Sequence, residues 1–286
     1  MSFMAENMWR CGSRSLPLGK RTLIMGILNV TPDSFSDGGL FTLENDAVAR
    51  AVRMLDDGAD IVDIGGESTR PGSDPVPDAT QIARIVPVIQ RIRTEAPHAV
   101  ISVDTRKPEV AREALAAGAC IVNDIAAATE PGMIELVRET GAGLVLMHMQ
   151  GEPKTMQEDP RYDDVVGEVR GFLAERLGIA EVAGIAREQL CVDPGIGFGK
   201  NLKHNLELLH SVGSFRHLGV PVLVGVSRKG FIGELTGVAD AFDRLDGTAG
   251  AVAWCVAQRI DLIRVHDVKE MARVANVVDA IVKGAA

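Results

Sequence analysis

The sequence predicts an α/β protein of the (β/α)8 barrel class, with one domain of parallel strands surrounded by helices. Short apolar runs rich in Val, Ile and Leu recur along the chain, and an amphipathic segment follows each of them. The runs are continuously apolar, which indicates strands buried on both faces, as in a parallel sheet. Eight such pairs occupy the 286 residues with no Ser-, Gly- or Pro-rich linker between them. That number favours one closed barrel over an open sheet.

The predicted strands share their shortness and their content of β-branched residues. In chain order they are Thr22–Leu28, Ala59–Ile64, Ala99–Val103, Ala119–Val122, Gly143–Met147, Leu190–Val192, Val220–Gly225 and Leu262–Val265.

The predicted helices share apolar residues at a spacing of three and four, which gathers them on one face. Pro108 stands where the first turn of a helix tolerates proline, because that turn needs no N–H donor. In chain order the helices are Leu43–Asp57, Asp78–Ala96, a segment that begins at Pro108, Met133–Glu139, Asp164–Leu177, Asn201–Val212, Asp243–Gln258 and Lys269–Val282.

Residues 1–20 precede the first predicted strand and are treated as an N-terminal extension, with the barrel over residues 21–286. We expect the extension to form a hairpin that plugs the bottom of the barrel. Gly19, Lys20 and Arg21 are the expected turn.

Composition excludes several classes of function. Hydrophobic residues make up 46% and charged residues 24%, which is typical of a folded globular protein. The aromatic content of 4% argues against a surface that stacks on the bases of single-stranded nucleic acid. The net charge of −9 argues against nucleic-acid and membrane partners, since both favour a basic face. An anionic ligand would therefore need local cations.

The four cysteines show neither CxxC pairs nor zinc-ligand spacing. Cys120 and Cys191 lie in apolar runs, so buried, inert thiols are expected. The N-terminal residues contain no apolar core of a signal peptide. These features together predict a reducing, cytoplasmic location.

Polar side chains follow almost every predicted strand. In a (β/α)8 barrel the strand ends meet at one rim, where active sites lie. Any one of these residues, such as Asp104, could be only a helix cap, and His148 is expected to be structural. Their accumulation on one rim indicates a functional site. Strand by strand, they are Asn29; Glu67, Ser68, Thr69 and Arg70; Asp104, Thr105, Arg106 and Lys107; Asn123 and Asp124; His148; Asp193; Ser227, Arg228 and Lys229; and Arg264 and His266.

Three motif searches fail and thereby narrow the chemistry. Residues 225–229 resemble a nucleophile elbow but have Lys229 where GxSxG requires glycine. The glycine-rich residues 195–200 fit neither GxGxxG nor a P-loop, since Asn201 follows the lysine. No HExxH occurs. The chain offers no obvious covalent nucleophile, and the turn-rich loops at 31–39 and 65–77 are either lids over the barrel mouth or plain surface loops.

The motifs at the strand ends resemble those of the dihydropteroate synthase family. MGILNVTPDSFSDGG at 25–39 resembles the first family signature, and DIGGESTRPG at 63–72 resembles the second. The remaining motifs follow in the family's order at Ser102–Thr105, Leu146–Gly151, Asp193–Lys200, Val226–Lys229 and Arg264–Asp267. The similarity runs from about residue 21 to the C-terminus and is weakest at 152–189 and 236–246.

This resemblance implies a transferase of folate biosynthesis on a TIM barrel. The family joins 6-hydroxymethyl-7,8-dihydropterin diphosphate to 4-aminobenzoate, giving 7,8-dihydropteroate and diphosphate. It uses Mg²⁺, and sulfonamides compete for the aminobenzoate site. The implied mechanism is dissociative: diphosphate departs before the amine attacks, so no protein nucleophile is needed. A homodimer through the last helices is also implied.

The resemblance also assigns roles to individual residues. Asn29 is the implied protein ligand of Mg²⁺. The implied pterin-binding set is Asp104, Asn123, Ile125, Met147, Asp193, Lys229 and Arg264. The implied aminobenzoate set is Phe35, Thr69, Arg70, Pro71, Phe198 and Ser227. The implied diphosphate set is Asn29, Arg70, Arg264 and His266. The implied catalytic set is Asp37, Arg70, Lys229, Arg264 and His266.

Two alternatives remain open from the sequence. A pterin-binding methyltransferase domain would share the barrel and the pterin acceptors but would need no diphosphate site. A non-catalytic relative that binds pterin or acts through protein contacts would not need Asp37, Arg70, Lys229 and Arg264, all of which are present here.

Overall fold

The computed structural model describes residues 7–31, 40–68 and 73–284. The described part of the chain contains ten strands and nine α-helices. The first two strands form an antiparallel pair, and the other eight alternate with the helices. The strands are β1 Met8–Cys11, β2 Arg14–Pro17, β3 Leu23–Asn29, β4 Ile61–Gly65, β5 Val100–Asp104, β6 Ile121–Asp124, β7 Gly143–Met147, β8 Leu190–Asp193, β9 Leu223–Gly225 and β10 Leu262–Val265. The helices are α1 Leu40–Asp56, α2 Asp78–Glu95, α3 Pro108–Ala117, α4 Met133–Thr140, α5 Val165–Val182, α6 Leu202–His210, α7 Gly230–Thr236, α8 Leu245–Ala257 and α9 Val268–Lys283.

Strands β3 to β10 form one parallel sheet of eight strands in the order β8-β7-β6-β5-β4-β3-β10-β9. Val192 of β8 forms a parallel bridge to Val222, the residue before β9, and donates to the carbonyl of Pro221 at 3.0 Å. This contact joins the two ends of the sheet. The predicted (β/α)8 barrel is therefore confirmed, and all eight strand carboxyl ends lie at the same rim.

Alternate residues of each strand point into the barrel, since successive side chains in a strand face opposite ways. The inward residues of the lower layer are apolar and pack into one cluster that includes Met25, Ile61 and Leu262. The outward residues pack beneath the helices in the main core. Two residues further along β4 and β10, the inward side chains are Asp63 and Arg264. The interior thus changes from apolar at the bottom to charged at the mouth.

The hairpin β1–β2 closes the bottom of the barrel. Trp9 and Cys11 are fully buried in the same cluster as the lower barrel residues. The Trp9 indole donates to the carbonyl of Gln189 at 3.0 Å. The hairpin predicted for residues 1–20 is confirmed, but its expected turn was wrong. The chain turns at Gly12 and Ser13, where Gly12 adopts a φ of +61°, a conformation that favours glycine.

Two local differences from the sequence expectation have physical reasons. Helix α7 was not predicted, because it has only seven residues and two of them are glycines that weaken helical propensity. Strand β9 begins at Leu223 rather than Val220, since Val222 forms only the isolated bridge to β8. In the described residues, no helix has the length and apolarity needed to cross a bilayer.

Candidate active site

A cavity of about 740 Å³ opens at the mouth of the barrel. Its walls come from the ends of the strands and from the loops that follow them. Six described residues of the predicted rim do not line the cavity: Glu67, Thr105, Arg106, Lys107, Asp124 and His148. Every described residue to which the resemblance assigns a role does line it. They are Asn29, Asp104, Asn123, Ile125, Met147, Asp193, Phe198, Ser227, Lys229, Arg264 and His266.

A buried ionic network forms the floor of the cavity. The Arg264 guanidinium donates through Nε to Oδ2 of Asp63 and through Nη2 to Oδ2 of Asp104, both at 2.6 Å. Asn123 donates through Nδ2 to the same oxygen of Asp63 at 3.0 Å. Because the Asn123 amino group is held by Asp63, its side-chain carbonyl oxygen is left to accept from a ligand.

Asp104 combines a paired oxygen with an unpaired one. Its Oδ1 atom is buried and has no hydrogen-bond partner among the described residues. Burial raises the pKa of Asp104 to about 7, and the Arg264 charge opposes that increase. A buried acceptor without a donor is costly. A ligand with N–H groups would satisfy it.

Asp193 ends β8 and begins the glycine-rich segment. Its Oδ1 accepts from the backbone N–H of Gly195 at 2.7 Å, which fixes the carboxylate at the cavity wall. Burial raises its pKa to about 6, against the Gly195 bond and the positive charge of Lys229. Asp193 is thus a second acceptor group, held by the backbone rather than by an arginine.

Lys229 enters the cavity from the loop after β9. Its ammonium lies 4.1 Å from the ring centroid of Phe198, a cation–π distance. Burial lowers the pKa of Lys229 to about 8, although the negative charge of Asp193 opposes this. The site therefore places one cation between an aromatic wall and a carboxylate.

The loop that presents Ser227 and Lys229 is strained at Arg228. The backbone of Arg228 adopts a φ of +59°, which is unfavourable for a residue with a Cβ. Its backbone N–H donates to Thr248 Oγ1 at 3.0 Å, and its Nε donates to Asp267 at 3.0 Å. These bonds hold the strained backbone, so that the residues on either side of Arg228 face the cavity.

Ser227 and His266 are coupled across the mouth. The backbone N–H of His266 donates to Ser227 Oγ at 3.2 Å, and Ser227 Oγ lies 3.0 Å from His266 Nδ1. The Ser227 hydroxyl accepts the first contact, and the second connects its oxygen to the imidazole ring. The two contacts hold His266 at the mouth of the cavity.

Five predicted site residues lie outside the described residues: Phe35, Asp37, Thr69, Arg70 and Pro71. Their roles stay predictions. Asp124, which the sequence left open between site and cap, accepts from the backbone N–H groups of Ala126 and Ala128 at 2.7 and 2.9 Å. It shapes the turn after β6.

Two residues of the site were not predicted. Asp63 lies inside an apolar strand and connects Arg264 with Asn123. A carboxylate in such a strand is itself a signal, because burying a charge requires a partner. Lys200 lines the cavity and is 2% exposed. It is the last residue of the family motif at Asp193–Lys200, but nothing in that motif indicated a role for it.

Known proteins resemble this chain over most of its length. The model of the family described as "Pterin binding enzyme" matches residues 25–266. The dihydropteroate synthase of Escherichia coli strain K12 is 50% identical over 257 residues, which is 90% of each chain. The Xanthomonas albilineans dihydropteroate synthase solved with 4-aminobenzoic acid has a TM-score of 0.91 at 45% identity, covering 97% of this chain and 98% of that one.

A Yersinia pestis dihydropteroate synthase, solved as a sulfonamide drug complex, has a TM-score of 0.90 at 41% identity and covers 97% of this chain and 100% of its own. The family match, the identity and the shared barrel agree with the motifs at the strand ends. The chain belongs to the pterin-binding enzymes and, within them, to the dihydropteroate synthase family.

Proposed function

We propose that this chain joins 6-hydroxymethyl-7,8-dihydropterin diphosphate to 4-aminobenzoate, giving 7,8-dihydropteroate and diphosphate. The observation that carries the proposal is the set of acceptors at Asp104, Asn123 and Asp193, which share one cavity with the ammonium of Lys229. Relatives that share half of the sequence are named for this synthesis. No feature of the site favours either alternative that the sequence left open.

The pterin half of the cavity follows from its donors and acceptors. A pterin edge presents an amino group and ring N–H donors, and these match the free oxygens of Asp104 and Asn123 and the carboxylate of Asp193. The Lys229 ammonium would donate to the pterin carbonyl and ring nitrogen. Ile125 and Met147, both buried, would pack on the ring faces. Charge-assisted bonds in a closed cavity supply strength and orientation.

The aminobenzoate half lies beside Phe198 and Ser227. The Phe198 ring offers a face to an arylamine, and the Ser227 hydroxyl and Lys229 stand nearby as polar groups. Thr69, Arg70, Pro71 and Phe35 complete this half in the proposal.

The chemistry is a substitution at the methylene carbon of the pterin. The bond from that carbon to the diphosphate oxygen breaks first, and the departing diphosphate takes the electron pair. The resulting cation is delocalised into the pterin, and Asp37 would stabilise it. The nitrogen of 4-aminobenzoate then forms the new bond and loses a proton. The protein contributes orientation, charge and exclusion of water.

The diphosphate would lie near Asn29, Arg70, Arg264 and His266. Arg264 uses two N–H groups for Asp63 and Asp104, and a guanidinium has five. His266 lines the same cavity, and an imidazole can donate a hydrogen bond to a phosphate oxygen. These donors stand at the open side of the floor and suit an anion.

Mg²⁺ fits this arrangement. Among the described residues, no group of three or more His, Cys, Asp or Glu side chains is placed to hold a metal. Mg²⁺ does not require one, since it binds through one or two protein oxygens together with waters and substrate phosphates. The Asn29 side-chain oxygen would hold it together with Asp37. When bound, Mg²⁺ neutralises charge on the leaving group.

The reaction is tested by mixing the protein, Mg²⁺, the pterin diphosphate and labelled 4-aminobenzoate. We expect labelled 7,8-dihydropteroate and an equal amount of diphosphate. A protein that binds the pterin but forms no product would contradict the proposal and favour the non-catalytic alternative.

The metal is tested by calorimetry with two ligands. We expect EDTA to weaken binding of the pterin diphosphate at least tenfold and to leave binding of the corresponding hydroxymethyl pterin unchanged. Equal binding of the diphosphate with and without Mg²⁺ would count against a metal at Asn29.

Sulfonamides are proposed as competitive inhibitors, on the basis of the Yersinia pestis complex. They should raise the apparent KM for 4-aminobenzoate without changing kcat. The free thiols of Cys11, Cys120, Cys191 and Cys255 support a reducing, cytoplasmic location.

A homodimer through the C-terminal helices is also proposed. Trp254 on α8 is 42% exposed, and Val277 and Ile281 on α9 are 61% and 73% exposed. Val277 and Ile281 are one helical turn apart and share a face. Sedimentation at micromolar protein should show a dimer, and Trp254→Arg should shift it toward the monomer. A monomeric parent chain would disprove this assembly.

A further inference from the structure

The glycine-rich segment at 195–200 ends in an unusually buried lysine. Lys200 is 2% exposed, and lysine is almost never fully buried without a partner. Burial lowers its pKa to about 7, against the attraction of Asp193. An apolar side chain of the same length would occupy this place without that cost. The bonds made by the ammonium are therefore what requires explanation.

The Lys200 ammonium contacts three neutral acceptors. Nζ donates to the carbonyl of Phe198 at 2.9 Å, lies 3.0 Å from His148 Nδ1, and reaches the carbonyl of His148 at 3.4 Å. An ammonium has three N–H donors, so these contacts use all of them. His148 follows β7, and Phe198 lies in the loop after β8. One side chain thus ties the two loops together.

The two loops touch at their backbones. A Cβ placed on Gly195 would lie 1.9 Å from the carbonyl oxygen of His148, and one on Gly199 would lie 2.2 Å from that of Gln150. Only glycine allows the two backbones to approach this closely. The glycines at 195, 197 and 199 also leave the segment with few side chains that could fix the path of its backbone. Phe198, between Gly197 and Gly199, is the large side chain that the segment turns toward the cavity.

The carboxylate of Asp193 and the carbonyl of Phe198 are held by different groups, and the Phe198 N–H donates to the carbonyl of Gly195 at 3.1 Å. Asp193 is fixed by the N–H of Gly195 at 2.7 Å, at the start of the segment. The Phe198 carbonyl is fixed by Lys200 at 2.9 Å, at its end. The Phe198 ring in turn stands 4.1 Å from the Lys229 ammonium. A loss of the Lys200 bonds should therefore release the aromatic wall more than it disturbs Asp193, which keeps its Gly195 bond and loses only the smallest of its charge interactions.

We propose that Lys200, held against His148, is a positioning residue that sets Phe198 for the arylamine substrate. The assignment rests on the proposed function and extends it. Lys200 acts through the Phe198 backbone and takes no part in the bond changes. Its removal should affect the two substrates unequally.

Lys200→Met removes the ammonium and keeps the length of the side chain. We expect KM for 4-aminobenzoate to rise at least tenfold, while calorimetric affinity for the pterin diphosphate changes less than threefold. Lys283→Met removes the same charge at the far end of α9 and should leave both values unchanged.

Two substitutions at His148 provide an independent arm. Asn offers an oxygen acceptor near the position of Nδ1, and Leu offers none at similar volume. His148→Leu should reproduce the rise in KM, and His148→Asn should restore most of the parent value. Should Lys200→Met not fold, this pair decides the question alone.

An unchanged KM for 4-aminobenzoate in Lys200→Met would overturn the proposal. So would an equal loss of affinity for both substrates, which indicates general loosening, or equal KM values in His148→Leu and His148→Asn. A parent chain that forms no product overturns the proposed function and this assignment together. An active parent with an unaffected Lys200→Met overturns the assignment alone.

Discussion

The two ends of the barrel are built from the same eight strands and differ in almost every physical property. At the bottom, Trp9, Cys11 and the lower inward residues form a closed apolar cluster. At the mouth, Asp104, Asp193 and Lys229 are buried titratable groups with shifted pKa values. The bottom satisfies its own groups, whereas the mouth leaves acceptors free. Stability and the proposed recognition of substrate are thus separated along the barrel axis.

The change occurs over four residues on β5 and over two residues on β8. On β5 the inward residue is Val100 at the bottom and Asp104 at the mouth, and on β8 Cys191 gives way to Asp193. Each strand therefore belongs to both regions. Substitutions at the two ends should separate stability from activity.

The largest effect is expected at the bottom, for Trp9→Ala. Removing a buried tryptophan and its bond to Gln189 should cost about 3–5 kcal/mol of unfolding free energy. The kcat/KM of the remaining folded protein should stay near the parent value. Denaturant unfolding and steady-state kinetics measure the two quantities. A large fall in kcat/KM would show that the ends are coupled.

Asp63→Asn is expected to lower both stability and activity, since Asp63 lies within strand β4 and supports the floor of the cavity. Weakening a buried ion pair should cost about 3 kcal/mol of unfolding free energy. The kcat/KM should also fall, because Asn123 and Arg264 lose the group that orients them. Asp60→Asn is a matched control at the bottom, where Asp60 accepts from the Ile24 N–H at 2.9 Å. It should lower stability modestly without affecting kcat/KM.

Lys229→Ala and Asp193→Asn should lower activity and change stability little, which is the reverse of the result expected for Trp9→Ala. Each removes a buried polar partner of the proposed substrate. The expected loss in kcat/KM corresponds to at least about 2 kcal/mol of transition-state stabilisation. The thermal midpoint should fall little or rise, because the charged forms of these groups are costly in the empty site. Parent-like kcat/KM in either variant would remove that residue from the site.

The smallest effect is a pH dependence confined to the mouth. The proposed function needs Asp104 and Asp193 ionised and Lys229 protonated. Since burial raises the two carboxyl pKa values to about 7 and 6 and lowers that of Lys229 to about 8, kcat/KM should rise to a maximum between pH 7 and 8 and then fall.

The free energy of unfolding should change with pH in the direction opposite to kcat/KM. A carboxyl whose pKa is raised by folding stabilises the fold fully below its ordinary pKa of 3.8, and this contribution is lost as pH rises from there through 6 and 7. Lys229, whose pKa is lowered, stabilises the fold fully above its ordinary pKa of 10.5 and loses this contribution as pH falls from there through about 8. Unfolding titrations of the parent and of Asp193→Asn measure this difference. A slope that is identical in the two proteins would contradict it.

The barrel could be predicted because its strands repeat one pattern. Asn29, Asp104, Asn123 and Asp193 directly follow apolar runs, and Arg264 lies near the end of the last one. These positions were enough to place them on one rim. Element ends were less predictable, since the isolated bridge at Val222 and the short helix α7 depend on contacts distant in sequence.

The residues that hold the site in place were much less predictable than the residues that line the cavity. Asp63 has no local pattern that names its partners, and these lie 60 and 201 residues away. Lys200 follows a glycine motif whose purpose depends on a neighbouring loop. Such residues act through other side chains, so their roles become visible only from three-dimensional distances.

Strand β10 lies between β3 and β9 and carries Arg264, the cation shared by Asp63 and Asp104. A chain still being synthesised would hold both carboxylates long before their counterion emerges. Half-barrels of this protein should therefore be poor folding units, and a separately expressed C-terminal fragment should rescue an N-terminal one only if it contains this strand. The barrel would reach its native state only after β10 has been synthesised.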